Sequence, residues 1–193
     1  TQTSFILPDS LAGTNAYSIA YNPGNNTIYV GGSAIVVIDG VTQRRIARIP
    51  VSAERLLYAS AANKIYALAS RGITAIDAAG MRVVDSLAFT GVFDWCYNPV
   101  LNRLYCIAGR VVSAIDCASD SVVARVNLPE QCYDICCAPL VNKVYVPGIE
   151  SEEVYVIDCL GDSFLTTFYT GVGQYQMLYN DAALLFVLAL SGG

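Results

Sequence analysis

Two markers recur in step along this chain, and together they restrict its fold more than anything in its composition. The first is an Ile-Asp pair, at Ile38-Asp39, Ile76-Asp77, Ile115-Asp116 and Ile157-Asp158, whose aspartates stand 38, 39 and 42 residues apart. The second is an Asn-x-apolar-Tyr tetrad that opens the apolar run before each pair: Asn26 to Tyr29, Asn63 to Tyr66, Asn102 to Tyr105 and Asn142 to Tyr145. The clearest copy of the unit, Trp95 to Leu128, reads as four short strands. One run ends at Tyr97 before the turn Asn98-Pro99, a second covers Arg103 to Ala108, and a third covers Val111 to Asp116. After the polar turn Ala118-Ser119-Asp120 comes the last, Val122 to Leu128, in which Arg125 and Asn127 alternate with Val126 and Leu128. Short runs joined by tight turns build an antiparallel meander. A four-stranded meander repeated about every 40 residues predicts an all-β β-propeller, each unit being one blade.

The residues also carry a family resemblance. The string YNPGNNTIYVGGSAIVVIDG at Tyr21 to Gly40, echoed by YNPVLNRLYCIAG and AIDCASDSVVARVNLP, closely resembles the YVTN-type β-propeller repeat of prokaryotic surface-layer and secreted proteins. The likeness runs over nearly the whole chain. The second copy departs most, with Tyr58-Ala59-Ser60 where others have Tyr-Asn-Pro or Cys-Ala-Pro. The resemblance implies a fold and an extracellular or cell-surface setting; it implies no active site, because such proteins share blades.

The expected organisation is one propeller domain over residues 1–193, with complete blades at about 16–51, 55–89, 93–128 and 133–169. Residues 175–190 supply two strands of a fifth blade. Residues 3–7, ahead of Pro8, supply one more strand, so the fifth blade is expected to be assembled from both termini, within one chain or between subunits. The chain opens at Thr1 without Met, basic leader or cleavable apolar segment, which fits a mature form after signal removal or an excised fragment.

Hydrophobic residues make up 54% and charged ones only 14%, against roughly 25% charged in ordinary domains. Such a shortage of charge predicts that part of the outer surface is buried against something else. The longest wholly apolar run, Ala182 to Leu190, is nine residues, whereas a spanning helix needs about 20. No membrane-spanning helix is expected. A net charge of -5, with Lys64 and Lys143 the only lysines, argues against nucleic acid as a partner.

The outer strands give the sharpest functional clue. Three of them carry charge, at Arg44, Arg45 and Arg48, at Arg82 and Asp85, and at Arg125, which is how an open edge is kept from pairing. The fourth, SFLTTFYT from Ser163 to Thr170, carries none, and neither does Thr3 to Leu7. Phe5, Ile6, Leu7, Phe164, Leu165, Phe168 and Tyr169, with Leu185 and Val187 in the incomplete blade, are the expected assembly interface.

The chain has no histidine, which removes His-dependent triads and the usual zinc, copper and haem sites. All seven cysteines, 96, 106, 117, 132, 136, 137 and 159, lie beyond residue 90, and none forms a C-x-x-C pair. Two readings stand: buried thiols acting as small hydrophobes, or at least one disulfide in an oxidising compartment, with Cys96 and Cys106 facing each other across a hairpin. Cys117 and Cys159 occupy the same position in neighbouring blades. A catalytic thiol lacks a base.

The recurring aspartates read as turn caps in preference to a ring of carboxylates around a pore. The recurring tyrosines read as packing between blades in preference to a ligand platform. Glu150, Ser151, Glu152 and Glu153 form an acidic insertion, a solvated loop or a weak calcium site. Gly171-Val172-Gly173 lacks the rest of a dinucleotide loop, and Asn25-Asn26-Thr27 matches a glycosylation triplet.

The function that follows is non-enzymatic, with no cofactor: a secreted or cell-surface building block that self-assembles into an oligomer or filament through its uncharged edges. A module binding a protein or glycan through its interblade loops is the alternative. An enzyme, by analogy with propeller lyases or quinoprotein-like dehydrogenases, ranks last.

Overall fold

The computed structural model describes residues 15–170, together with the strands at 176–178 and 186–188. The described residues up to Phe89 form one compact unit and those from Thr90 a second. The first holds two antiparallel four-stranded sheets: β1 (Ser18–Asn22), β2 (Thr27–Gly31), β3 (Ile35–Asp39), β4 (Arg45–Ile49), then β5 (Arg55–Ala59), β6 (Lys64–Ala69), β7 (Gly72–Asp77), β8 (Arg82–Leu87). The second holds two more: β9 (Val92–Asn98), β10 (Arg103–Ala108), β11 (Val111–Asp116), β12 (Ser121–Asn127), then β13 (Cys136–Ala138), β14 (Lys143–Pro147), β15 (Glu153–Asp158), β16 (Ser163–Tyr169). A two-stranded sheet, β17 (Gln176–Leu178) with β18 (Phe186–Leu188), follows. In every four-stranded sheet the spatial order is the chain order, so each is the predicted up-and-down meander.

The periodic residues explain why the pattern repeats. The asparagine of every tetrad, Asn26, Asn63, Asn102 and Asn142, has a φ of 50 to 53°, the left-handed region that asparagine tolerates better than most residues. Its carbonyl accepts a backbone bond from Gly40, Ala78, Cys117 and Cys159 in turn, one residue past each Ile-Asp pair. The tetrad and the pair are therefore two ends of one closure.

The middle strands are apolar on both sides because both faces of the sheet are covered. β6 and β10 each bury four successive residues, and so does β15. Within the first unit β1 lies beside β5, and the core gathers Tyr29, Ile35, Val37, Ile65 and Ile76. Within the second, β9 lies beside β13 and the core gathers Tyr105, Val112, Val144, Tyr155 and Ile157.

Each outer strand carries a bulge at the same place, opposite the step into the Ile-Asp pair: between Val37 and Ile38, Ala75 and Ile76, Ala114 and Ile115, Val156 and Ile157. The residue left over on the outer strand is Ile46, Val84, Val123 or Leu165, and all four are exposed. A bulge twists an edge away from would-be partners, so it is a second protection beside charge.

Candidate functional site

The aspartates of the Ile-Asp pairs hold turns. Asp39 Oδ1 accepts from the amides of Val41 and Thr42 and from the Thr42 hydroxyl, and Asp116 Oδ1 does the same for Ala118 and Ser119. Asp77 takes the Ala79 amide and Asp158 the Gly161 amide. The Thr42 and Ser119 bonds lower the pKa of Asp39 and Asp116 by favouring the charged form. Tyr29 and Tyr105 lie between blades, as expected of the recurring tyrosines. Tyr29, Tyr66 and Tyr105 are fully buried; Tyr29 donates to the Ala78 carbonyl at 2.8 Å and Tyr105 to Asp162 Oδ1 at 2.7 Å.

The expected Cys96–Cys106 bridge is corrected by the register. β9 and β10 set Cys96 opposite Tyr105 and Cys106 opposite Trp95, so the two thiols are one residue out of step and project to opposite faces of the sheet. All seven cysteines are free. Burial pushes the thiols of Cys106 and Cys132 up to about 12, and a thiol so hard to ionise is a small hydrophobe rather than a nucleophile. Without a bridge the argument for an oxidising compartment falls away, and the extracellular setting rests on the resemblance.

A residue the sequence did not single out organises the acidic insertion. Glu130, in the linker between β12 and β13, accepts at Oε2 from the Glu150 amide at 2.8 Å and at Oε1 from the Ser151 amide, the Ser151 hydroxyl and the Tyr155 hydroxyl. Glu152 accepts from the Tyr169 hydroxyl at 2.5 Å. The insertion is thus built around an acceptor of its own, and no cluster of three potential metal ligands occurs among the described residues. Desolvation alone would raise the Glu130 carboxyl, but the bonds from Ser151, Glu150 and Tyr155 outweigh it and hold the group below its usual range.

That shift has a sign. A carboxyl depressed in the folded state contributes stability above its unfolded value, about pH 4.3, and loses it as pH falls through the lower folded value. Glu130→Gln is therefore expected to cost about 1–3 kcal/mol at neutral pH, with the gap to the parent closing below about pH 4. Urea unfolding of both proteins at stepped pH checks this; a gap independent of pH would mean the carboxylate charge plays no part.

Of the expected interface, β16 is the part on view. All seven of its residues are exposed, Phe164 at 45%, Leu165 at 49%, Phe168 at 38% and Tyr169 at 69%. Among the described residues it pairs with β15 alone, which leaves its other edge without a strand partner there. The contrast with its equivalents is positional: Arg48 stands opposite Val36, Arg125 opposite Ser113, and Thr167 opposite Tyr155 at the same step of the repeat. β16 keeps the bulge and lacks the charge. Phe5, Ile6, Leu7 and Leu185 lie outside the described residues, as does Gly171-Val172-Gly173; Val187 falls in β18, opposite Met177.

No family model and no curated protein matches the chain. Among solved structures, the hydrazine synthase of Kuenenia stuttgartiensis superposes with a TM-score of 0.68 at 12% identity, over 93% of this chain and 55% of that one. U3-55K superposes with a TM-score of 0.66 at 14% identity, over 83% of this chain and 54% of that one. The chain thus spans about half the length of either. At such identity the likeness shows the fold alone, an all-β architecture of propeller-like four-stranded blades.

Proposed function

We propose that this protein is a non-enzymatic, self-assembling building block of the cell surface or secreted space, whose copies join edge to edge through β16. The observation that carries the reading is an outer strand exposed at every position, aromatic and uncharged, where the equivalent strands carry Arg45 and Arg48, Arg82 and Asp85, or Arg125. An open strand edge offers unpaired amides and carbonyls, and a second β16 running antiparallel is a self-complementary partner for it. Pairing of that kind closes on itself as a twofold dimer. Growth beyond a dimer needs a second junction, and exchange of the residue 3–7 strand into the fifth blade begun by β17 and β18 would provide one; the same strand used within its own chain would stop growth at the dimer.

Thr167→Arg restores the charge that Arg48 and Arg125 place at this step, on a residue that is already exposed. Light scattering and electron microscopy at micromolar concentration should show the parent as oligomers or filaments. The substituted protein should be monomeric or reduced to the species held by the other junction, with an unchanged melting temperature. A parent that stays monomeric throughout, or an assembly indifferent to Thr167→Arg, would remove β16 as the interface.

A further inference from the structure

In the first unit an open cleft of about 280 Å³ lies between the linker that follows β4 and strands β7 and β8. Val51, Ser52, Arg71, Ile73, Thr74 and Ser86 line it, and Thr74 and Ser86 stand opposite each other on one face of the sheet, with the hydroxyls of those two and of Ser52 and the guanidinium of Arg71 as its polar groups. None of the ion pairs among the described residues engages Arg71, and none of the side-chain hydrogen bonds uses those three hydroxyls.

The second unit shows what the equivalent place does when it is filled. The two linkers are anchored alike, Ala53 donating its amide to the Gly32 carbonyl and Cys132 to that of Gly109. Two residues before the anchor stands Val51 in one and Glu130 in the other, the second linker being longer by three residues. Across from Glu130 is Tyr155, whose hydroxyl donates to it at 2.8 Å. The counterpart of Tyr155 is Thr74 of the cleft, since each stands three residues before its repeat aspartate and faces the same step of the outer strand, Thr167 or Ser86. One unit fills the place with its own carboxylate. The other has a valine, a cavity, and an arginine beside it.

We propose that the Arg71 cleft binds the carboxylate of a small organic acid, the guanidinium forking onto its two oxygens, Thr74 or Ser86 donating a hydroxyl, and Val51 covering an apolar body. Arginine presents two parallel donors at the spacing of a carboxylate, and a charge-assisted pair of that kind is stronger than a neutral hydrogen bond. The volume falls just short of the roughly 300 Å³ at which pockets for drug-sized ligands begin, so the site suits one aromatic ring or a short aliphatic chain. An open cleft with an exposed arginine predicts affinity on the order of millimolar. The inference is independent of assembly through β16, which belongs to the other unit.

Benzoate is a suitable probe and benzamide its neutral isostere. With isotope-labelled protein, benzoate is expected to give saturable amide shifts at Gly72, Ile73 and Thr74, and benzamide to bind about tenfold more weakly. Arg71→Gln, at an exposed position, should leave the remaining spectrum in place and weaken benzoate about tenfold. Thr74→Val should weaken it by less. The proposal is overturned if benzoate at tens of millimolar gives no saturable shift, if benzamide binds equally well, which would mark a merely apolar hole, or if Arg71→Gln leaves the affinity unchanged.

Discussion

Tyr105→Ala is expected to be among the most damaging single substitutions in the second unit, at about 3–5 kcal/mol. The ring is fully buried in a core with Val144, Val146, Tyr155 and Ile157, so its removal leaves a cavity among residues from two blades. Its hydroxyl donates to Asp162 Oδ1, while Arg103 pairs with the other carboxylate oxygen. Asp162 is only 10% exposed at its side chain, so the loss of that donor leaves a nearly buried carboxylate with one partner fewer. Tyr105→Phe should then cost about 1–2 kcal/mol, the hydroxyl's share without the cavity. Tyr145 holds the same place in the repeat but is only partly buried, against Phe168 at 6.5 Å between ring centres. Tyr145→Ala should cost clearly less. Trp95, the one tryptophan, lies in β9 of this unit, and its fluorescence in urea reads all three. Equal losses for Tyr105→Ala and Tyr145→Ala would mean that the buried tyrosine is not what joins the blades.

Gly72→Ala should lower stability by about 2–4 kcal/mol, a fall in melting temperature on the order of 10 °C for a chain of this length. Gly72 opens β7 with φ of 139°, outside the regions that residues with a Cβ adopt readily. A methyl group there would press into the Leu87 carbonyl oxygen and meet the Phe89 amide nitrogen at 3.0 Å. Both are backbone atoms, which cannot swing aside as a flexible side chain would. Gly109 is the control, with a positive φ of 62° and nothing within 4 Å of an added Cβ. Gly109→Ala meets only the left-handed backbone cost, about 1 kcal/mol. Thermal scans of the two proteins separate clash from conformation, and a Gly72→Ala protein as stable as Gly109→Ala would contradict the crowding at Leu87.

The blades were legible because every level of the sequence agrees on them. Apolar runs, turn residues and the spacing of Ile-Asp and Asn-x-apolar-Tyr all mark one unit, and left-handed asparagines with their closing bonds are the physical cause of that spacing. The cysteines show where such reading stops. Sequence places Cys96 and Cys106 on facing strands, but a single step of register decides whether they share a face, and that step is set by turn geometry. Glu130 was hidden for another reason. Its partners stand 20 to 25 residues further along in an insertion, so nothing near it signals an acceptor role. The Arg71 cleft likewise arises from a linker and a later hairpin, and only the comparison of equivalent places in two units gives it meaning. The uncharged β16 was visible at once, because an edge is a matter of composition as well as of position.

The placing of the thiols gives this molecule a built-in clock for one half of itself. Residues 1–89 contain no cysteine, while the second unit holds all seven, five of them buried. A thiol reagent in solution can reach such a group only when its surroundings open, and the rate at which it does so reports local unfolding free energy without any added label. Cys106 and Cys137 sit in different blades, so the order in which they react distinguishes a blade that frays alone from a unit that opens as a whole. The first unit stays silent throughout, and the cooperativity of the second can be timed in the intact chain.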